Sequence, residues 1–315
     1  MIKKIPVILD GDPGHDDAIA WVMAKAFEVL DIKAITTVAG NQTLDKTSLN
    51  AQKISALLDI DVPIAKGRAI PLLGHLITAP NFHGESGLDG PELPQPRRDF
   101  EECSAPELMA RILRESDEPV VIIATGPTTN VASLLLANPE IKEKIKCISF
   151  MGGGLRGGNW SSAAEFNVIV DPEALDIVMK SGVPIIMNGL DVTEKALCYP
   201  EEYERIRAIG NPVSDVVAGW FDFFMKHLLN LGWKGATLHD PCAVLSVVYP
   251  ELFEFKELYV EVELNGQYSR GATVPDYYGI KKKAPNAKVA VNIDREKFIE
   301  LLIDSCKHYS KKEEL

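Results

Sequence analysis

Short runs of β-branched and other apolar residues alternate along this chain with longer segments in which apolar residues recur every three to four positions. The short runs predict strands and the longer segments predict helices. The predicted strands are residues 5–9, 32–39, 62–65, 119–124, 145–151, 183–188, 257–264 and 287–293. The predicted helices are residues 16–29, 44–58, 105–116, 127–137, 171–181, 200–208, 212–231, 240–248 and 294–309. Because such alternation builds βαβ units, the pattern predicts an α/β fold with an open, mostly parallel sheet flanked by helices.

The pattern also predicts a single domain that spans residues 1–315, because no linker rich in Ser, Gly or Pro and no internal repeat divides the chain. The alternation weakens after residue 195. The irregular stretch 66–104 is long for a loop without secondary structure, and such loops are usually functional.

Composition narrows the possible partners. The chain is 46% hydrophobic and 25% charged, which is ordinary for a globular protein. It contains no run of about 20 uncharged apolar residues, so no membrane span is expected. Asp10 and Asp12 interrupt the apolar start, which argues against a secretory signal and favours a cytoplasmic protein. The net charge of −12 argues against a nucleic-acid partner, and five scattered cysteines without a C-x-x-C pair indicate neither a zinc ribbon nor a disulfide framework.

The sharpest local signal is an aspartate cluster in LDGDPGHDDAIA, residues 9–20. Asp10, Asp12, Asp16 and Asp17 surround a Pro-Gly turn at the end of the first predicted strand. Asp16 and Asp17 could simply cap the following helix, where carboxylates are favoured. Four converging carboxylates, however, would repel one another unless a cation neutralised them. Hard oxygen ligands favour calcium or magnesium over zinc, so the cluster predicts a site for one of these ions.

Polar residues or glycines also follow most of the other predicted strands. They are Asn41, Thr125, the glycine run 152–154, Asn188 and Asp191. Since ligands of open α/β sheets bind beyond the carboxyl ends of the strands, we expect this row to lie beside the aspartate cluster.

Two local motifs suggest other functions. Asp10-Gly-Asp12 is similar to the D-x-D motif of Mg²⁺ phosphatases with an aspartyl nucleophile, although Gly14 stands where those enzymes usually carry Thr or Val. MGGGLRGG contains a formal G-x-G-x-x-G, but no predicted helix opens directly after it, which argues against a dinucleotide-binding loop. The phosphatase reading stays open at this point.

Histidines supply candidate proton donors. His239 lies at the start of a predicted helix beside Asp240, and His83 lies in the NFHGESG loop. A histidine paired with a carboxylate is a plausible acid near neutral pH. His15 and His308 are interpreted as structural or surface residues.

Seven motifs, in order, resemble those of the inosine–uridine-preferring nucleoside hydrolases, and the similarity runs from about residue 3 to about residue 308. The first and third look most similar to the pyrimidine-preferring bacterial subgroup. The motifs are DGDPGHDDAIA, ITTVAGNQTLDKT, FHGESGLDGP, TGPTTN, MGGG…GN, AEFNVIVDPEA and LHDPCAV. The resemblance implies a Rossmann-like nucleoside hydrolase fold, a homotetramer, and a role in nucleoside salvage.

The resemblance also implies an activity. This is Ca²⁺-dependent hydrolysis of the N-glycosidic bond of ribonucleosides to ribose and free base, with uridine and cytidine preferred and inosine as a further substrate. The implied calcium ligands are Asp12, Asp17, Asp240 and the backbone carbonyl of Thr125. Asp12 would act as general base, and His239 would help the leaving base depart.

The implied substrate contacts divide between sugar and base. The residues implied to hold the ribose hydroxyls are Asp16, Asn41, Asn159, Glu165 and Asn167. Those implied at the nucleobase are His83 and His239, with Met151 and Phe166 as apolar wall and His227 as the nearest polar residue of the helix that closes over the base. Trp160 and Trp233 could stack on a base. If AEFNV is extended, Glu165 and Asn167 would face the same side.

A third possibility is a non-catalytic module that binds nucleosides or pentoses. It would need Asn159, Glu165 and Asn167 but no general base at Asp12.

Overall fold

A central β-sheet organises the structure, which is a computed structural model describing residues 3–230 and 232–312, with the side chains of 227–230, 311 and 312 left out of the description. The strands are β1 (Ile5–Gly11), β2 (Leu30–Thr37), β3 (Ile64–Lys66), β4 (Val120–Ala124), β5 (Ile145–Met151), β6 (Ile185–Asn188), β7 (Leu197–Cys198), β8 (Ala236–Thr237), β9 (Phe253–Leu258), β10 (Val260–Val262), β11 (Thr273–Pro275) and β12 (Ala287–Ile293).

Helices connect these strands. They are α1 (His15–Ala26), α2 (Leu44–Leu58), α3 (Pro80–His83), α4 (Ala105–Glu115), α5 (Thr129–Ala137), α6 (Phe166–Val170), α7 (Pro172–Met179), α8 (Leu190–Thr193), α9 (Pro200–Arg207), α10 (Pro212–Asn230), α11 (Pro241–Val248) and α12 (Arg295–His308). Short 3₁₀ helices lie at Pro139–Lys144, Pro250–Leu252 and Tyr309–Lys312. None of the helices in the described ranges is long and apolar enough to cross a membrane.

The sheet has eight strands in the order β3-β2-β1-β4-β5-β6-β12-β9. Neighbouring strands are parallel except β9, which runs antiparallel to β12. The strand order reverses between β1 and β4, where the connections leave toward opposite edges. A crevice opens at such a reversal beyond the carboxyl ends of the strands, and in open α/β sheets this is where ligands bind.

Alternating side chains of the central strands bury two cores. Val7 and Leu9 of β1 pack with α1, α2 and α10–α12, while Ile8 faces α4, α5 and α7 on the other side of the sheet. Because both faces of a parallel sheet are covered by helices, its strands read as nearly continuous apolar runs. The prediction of a mostly parallel α/β fold is confirmed, and the structure is a single α/β domain.

The predicted strand 257–264 is wrong. It covers the last residues of β9, which belongs to the large sheet, and all of β10, which pairs with β11 in a separate two-stranded sheet. Apolar residues alternate from Leu258, at the end of β9, through Val260 and Val262 of β10, so the pattern does not reveal the change of partner between these strands. The sequence pattern also missed α3, α6 and α8, because helices of four or five residues are too short to show a helical period.

Candidate active site

A pocket of about 370 Å³ lies at the carboxyl ends of the central strands. Its lining comes from the start of α1, from the loops after β2, β4 and β5, from α3, α6 and α10, and from the segments that follow α8, α10 and β8. Of the residues proposed from the sequence, its lining includes Asp16, Asn41, His83, Thr125, Met151, Asn159, Glu165, Phe166, Asn167, His239 and Asp240. The two other carboxylates, Asp12 and Asp17, are fully buried beneath this surface.

Three buried carboxylates form the floor of the pocket. One oxygen each of Asp16, Asp17 and Asp240 lies within 4.8 Å of the others. Asp16 and Asp17 begin α1 directly after the Pro-Gly turn, and Asp240 is the residue before α11, so two helix starts converge on one point. The positive ends of these helices favour carboxylates there.

Asp12 lies beside this group in a cradle made by glycines. A Cβ atom on Gly40 would lie 2.1 Å from its Oδ2, and one on Gly126 would lie 2.4 Å from its Oδ1. Oδ2 accepts a hydrogen bond of 2.6 Å from the Asn41 backbone N–H. Oδ1 is buried without a partner among the described residues, as is Oδ1 of Asp16. Buried carboxylate oxygens without partners are costly, so they point to a missing ligand.

Burial dominates the electrostatics of the cluster. It raises the pKa of Asp16 to about 7, with the neighbouring Asp17 adding to the shift. Burial, followed by repulsion from Asp17 for Asp12 and from Asp16 for Asp240, holds the pKa of each of these carboxyls well above its usual range. Contact between the Asp17 and Asp240 side chains adds to the raised pKa of Asp240 and partly offsets the rise in the pKa of Asp17. The cluster therefore holds protons unless a cation replaces them.

The donor set fits a hard divalent cation. Its side-chain ligand atoms are carboxylate oxygens, and no Lys or Arg of the described chain forms an ion pair with any of the four aspartates. The Thr125 carbonyl is a further oxygen beside the pocket, where it accepts a hydrogen bond of 2.8 Å from the Asn167 side chain. Calcium and magnesium prefer such ligands. A metal site at this floor is therefore supported by charge, burial and donor type.

One wall of the pocket is formed by the N-terminus of α6 and the residue that caps it. Glu165 is the N-cap of α6, and its side chain accepts from the backbone N–H groups of Asn167 and Val168 at 2.9 and 3.2 Å. The same carboxylate accepts from the Gly153 backbone at 2.9 Å, which ties α6 to the glycine run. Burial raises the pKa of Glu165 to about 7. The expectation of an extended AEFNV segment is wrong, because the free N–H groups of a helix start recruit the Glu165 side chain.

Two histidines stand at the pocket in buried positions. The Nδ1 atom of His239 lies 2.8 Å from the Thr193 hydroxyl in α8, a partner that the sequence did not reveal. Burial lowers the pKa of His239 to about 4 and holds the pKa of His83 well below its ordinary value. Both rings are therefore neutral near pH 7. His15 is buried rather than on the surface, and it contacts His83.

Aromatic side chains make the outer wall. Trp160 packs against Phe166, with ring centroids 5.1 Å apart, and is 42% exposed. Phe82, Phe224 and Trp233 also line the pocket. Phe82 and Phe224 were missed, since an aromatic residue beside a histidine or within an apolar helix resembles ordinary core. His227 lies in α10, but its side chain is outside the described residues.

Only some of the polar residues that follow the predicted strands lie together at the pocket. Asn41 and Thr125 line the pocket as expected, while Asn188 and Asp191 do not. Asn188 donates to the Ser149 hydroxyl and the Phe150 carbonyl, and Asp191 accepts from the Leu155 backbone N–H at 2.6 Å. These two residues support β5 and the loop after it, because their side chains bond backbone groups of that strand and that loop.

Fold and pocket together define a class of protein: an α/β enzyme with an oxygen-rich, cation-compatible active site at the switch point of its sheet. Comparison with known proteins identifies the class more closely, since the family described as inosine-uridine preferring nucleoside hydrolase matches residues 7–300. The chain belongs to this family. It is a ribonucleoside hydrolase, an N-glycosidase.

Individual relatives support the assignment. The pyrimidine-specific ribonucleoside hydrolase RihA of Escherichia coli O1:K1 / APEC is 53% identical over 309 residues, which are 97% of this chain and 99% of the relative. The solved structure of a purine-preferring ribonucleoside hydrolase from Gardnerella vaginalis has a TM-score of 0.91 at 30% identity, covering 97% of this chain and 99% of that one. A Bacillus anthracis nucleoside hydrolase structure, at 18% identity and a TM-score of 0.82 over 96% and 99% of the two chains, shares the fold.

Proposed function

We propose that this chain is a Ca²⁺-dependent ribonucleoside hydrolase that prefers uridine and cytidine, with inosine as a further substrate. The observation that carries the proposal is the group of three buried carboxylates on the floor of a pocket lined by amide and carboxylate side chains. The preference for pyrimidines is supported by the 53% identity to a relative named as pyrimidine-specific.

The proposed calcium ligands are Asp12, Asp17, Asp240 and the backbone carbonyl of Thr125. Asp16 and Asp240 both belong to the group of neighbouring oxygens and both line the open pocket. Asp16 is proposed at the ribose because the resemblance to the family's motifs implies that position. When bound, calcium supplies positive charge that orients the ribose hydroxyls and makes a water more acidic.

The chain's own residues would then perform the hydrolysis. Asp12, whose Oδ1 has no hydrogen-bond partner in the part of the chain that the structure describes, would accept the proton of the attacking water. N-glycoside cleavage passes through a transition state with positive charge on the sugar, and Glu165 contributes negative charge on that wall when it is ionised. The remaining proposed ribose contacts are Asn41, Asn159 and Asn167. His83 and His239 would face the base, with His239 assisting its departure.

The test is base release from uridine, cytidine, inosine and adenosine, with calcium and with a chelator. We expect release of free uracil and cytosine that stops with the chelator and returns when calcium is restored. Asp12→Ala is expected to abolish turnover and weaken calcium binding. Near-normal turnover by this variant would remove Asp12 as the base.

Two other functions are outcomes of the same assay. Release of phosphate from a phosphomonoester, with an acyl phosphate on Asp10, would indicate the aspartyl phosphatase. Nucleoside binding by the calcium-loaded protein without release of any base would indicate the binding module.

We further propose that the whole chain, residues 1–315, forms one domain, that it acts in the cytoplasm, and that it assembles as a homotetramer. Sedimentation equilibrium of the calcium-loaded protein measures the assembly. A monomer mass of 34.6 kDa would contradict it.

A further inference from the structure

A threonine hydroxyl in α8 contacts the ring of His239. Oγ1 of Thr193 lies 2.8 Å from Nδ1 of His239, although 46 positions separate the two residues in the chain. Thr193 is 0% exposed and does not line the pocket, whereas His239 does. Within the described part of the chain, the Thr193 hydroxyl makes no other hydrogen bond. This hydroxyl can therefore act on a bound substrate only through His239.

The backbones of these two residues belong to one hydrogen-bonded frame. β7, which follows α8, pairs antiparallel with β8, which precedes His239. Next to this ladder the Leu238 N–H donates to the Ala196 carbonyl at 3.0 Å, and the Ala196 N–H donates to the Thr193 carbonyl at 3.0 Å. The backbone positions of Thr193 and His239 are therefore fixed relative to each other.

α8 is in turn fixed to the loop that follows β5. The Leu190 N–H, at the start of α8, donates to the Gly153 carbonyl at 2.8 Å. A Cβ atom on Gly189 would lie 2.8 Å from the same carbonyl oxygen, so the two segments are in close contact. Because a β-branched side chain adopts few rotamers, the Thr193 hydroxyl has a defined position beside the pocket.

This frame alone does not fix the imidazole ring of His239. The second side-chain torsion of a histidine is broad, so the ring plane needs a contact of its own. The bond at Nδ1 supplies this contact and leaves Nε2, which has no hydrogen-bond partner in the described ranges, available to a substrate in the pocket. A hydroxyl both donates and accepts, so it holds the ring whichever nitrogen carries the hydrogen.

We infer that Thr193 is a positioning residue that directs Nε2 of His239 toward the leaving base. This inference rests on the proposed function, in which His239 assists departure of the base, and adds the residue that makes this assistance efficient. A group that donates to a leaving atom must lie within hydrogen-bond reach of it. Without the hydroxyl, the ring samples other orientations and is less often in the productive one.

The test compares two substrates that differ in their need for help at the leaving group. Uridine has a poor leaving group, whereas p-nitrophenyl riboside releases p-nitrophenolate, which departs without a proton. Thr193→Val replaces the hydroxyl by a methyl group. We expect kcat to fall by roughly tenfold on uridine, the order of one hydrogen bond, and by less than about twofold on p-nitrophenyl riboside. KM for uridine should stay within about twofold of the wild-type value, because Thr193 does not line the pocket.

Two further variants separate positioning from packing. Thr193→Ser keeps the hydroxyl and should restore kcat on uridine to within about threefold of the wild type. Thr47→Val, in α2, is the matched control, because Thr47 is also 0% exposed, donates to the Val38 carbonyl at 2.9 Å and does not line the pocket. This control should lower thermal stability but leave the ratio of kcat on the two substrates unchanged.

A double substitution tests whether Thr193 acts through His239. In a His239→Ala background, Thr193→Val should cause no further loss of kcat on uridine, because effects of residues that act as a unit are not additive. A further loss as large as in the wild-type background would overturn the inference.

The remaining outcomes separate the possible roles of Thr193. Equal losses on both substrates, or a Thr193→Ser variant as impaired as Thr193→Val, would make Thr193 merely structural and overturn the inference. If Thr193→Val does not fold, Thr193→Ala removes the same hydroxyl and is judged by the same ratio. A wild type that releases no uracil would refute the proposed function, whereas uracil release with an unchanged ratio in Thr193→Val would refute only the inference about Thr193.

Discussion

At the scale of single residues, the adjacent carboxylates of Asp16 and Asp17 differ in their surroundings although both lie in the first turn of α1. Asp17 accepts from the Thr125 hydroxyl at 2.6 Å and from the Gly14 backbone at 3.0 Å. Asp16 has a buried oxygen without a partner and reaches the open pocket. Hydrogen bonds hold a carboxylate in one orientation, which a metal ligand requires. These surroundings agree with the proposed roles of Asp17 as a metal ligand and of Asp16 at the ribose.

This difference gives a prediction for two adjacent substitutions. Asp17→Asn should weaken calcium binding by roughly 100-fold and abolish turnover, because a fixed ligand charge is lost. Asp16→Asn should keep calcium affinity within about threefold but lower kcat/KM by roughly 100-fold, through lost positioning of the ribose. Calorimetric calcium titration and base-release assays measure the two effects. The control is Asp117→Asn, the same change at an exposed position.

If Asp16→Asn lost calcium as strongly as Asp17→Asn, Asp16 would be a ligand, and its assignment to the ribose would be wrong.

His239 gives a second prediction at this scale. Its neutral ring is held by Thr193. It should lower the activation barrier for cleavage when the leaving group is poor, and it should have little effect when the leaving group is good. We expect His239→Ala to reduce turnover of uridine by roughly 100-fold or more, with a much smaller loss on p-nitrophenyl riboside, whose leaving group departs without a proton. His75→Ala, an exposed histidine away from the pocket, serves as control. Equal losses on both substrates would exclude a role in leaving-group departure.

At the scale of elements, the loops that follow the strands bring their backbone against the side chain of Asp12, the proposed general base. The loops after β2 and β4 each place a glycine where a Cβ atom would overlap with the Asp12 side chain. The chain thereby encloses Asp12 from two sides without another side chain in between. The requirement for glycine arises here from close approach and not from backbone dihedral angles.

We therefore expect Gly126→Ala to lower kcat by roughly 100-fold, because the new Cβ atom displaces Asp12 from its position. Base release at saturating uridine measures this effect. Gly182→Ala, in the turn between α7 and β6, is the matched control: its φ of +83° strains an alanine, but no atom lies within 4 Å of the added Cβ. This control should reduce thermal stability and leave kcat unchanged. Full activity of Gly126→Ala would show that Asp12 tolerates displacement.

At the scale of the whole molecule, folding gathers acidic groups at one buried site in a chain that already carries a net charge of −12. Burial raises the pKa of Asp10, Asp16 and Glu165 to about 7 in each case. Keeping all of them ionised without a cation opposes folding, so binding of the proposed calcium ion should be linked to stability.

This linkage predicts the pH dependence of the calcium-free protein. Between pH 6.5 and 8, the folded state still holds protons on these raised carboxyls, while the unfolded chain has already lost them. Stability must therefore fall as pH rises, by up to ~1.4 kcal/mol per pH unit for each proton. The buried histidines, whose pKa values are lowered, are neutral in this range and contribute little to the slope.

Urea unfolding in a chelator at pH 6.5, 7.2 and 8.0 measures the slope. Saturating calcium should remove or reverse it, because the cation replaces the protons. Asp10→Asn changes a residue outside the proposed ligand set. It should reduce the slope of stability against pH by up to the contribution of one proton, ~1.4 kcal/mol per pH unit. A calcium-free protein that became more stable between pH 6.5 and 8 would contradict the raised pKa values.

Local pattern and motif order were sufficient for the architecture and for most of the residues that meet in the pocket. Buried strands of a parallel sheet are recognisable because both faces are covered, and their carboxyl ends lie on one edge by construction. Asp16, Asn41 and Thr125 could therefore be placed together from their positions after strands. The same reasoning failed for Asn188 and Asp191, since a strand end does not specify which way a side chain turns.

What the sequence alone determined is the fold class, the family and the carboxylate-rich chemistry, because each resides in contiguous motifs. Only the tertiary structure decided which oxygens are neighbours and which lack partners, that Glu165 caps a helix, and that His15 stands behind His83. These facts depend on contacts between segments far apart in the chain. The hydrophobic period of a segment records its burial but carries no information about which residues of other segments it contacts.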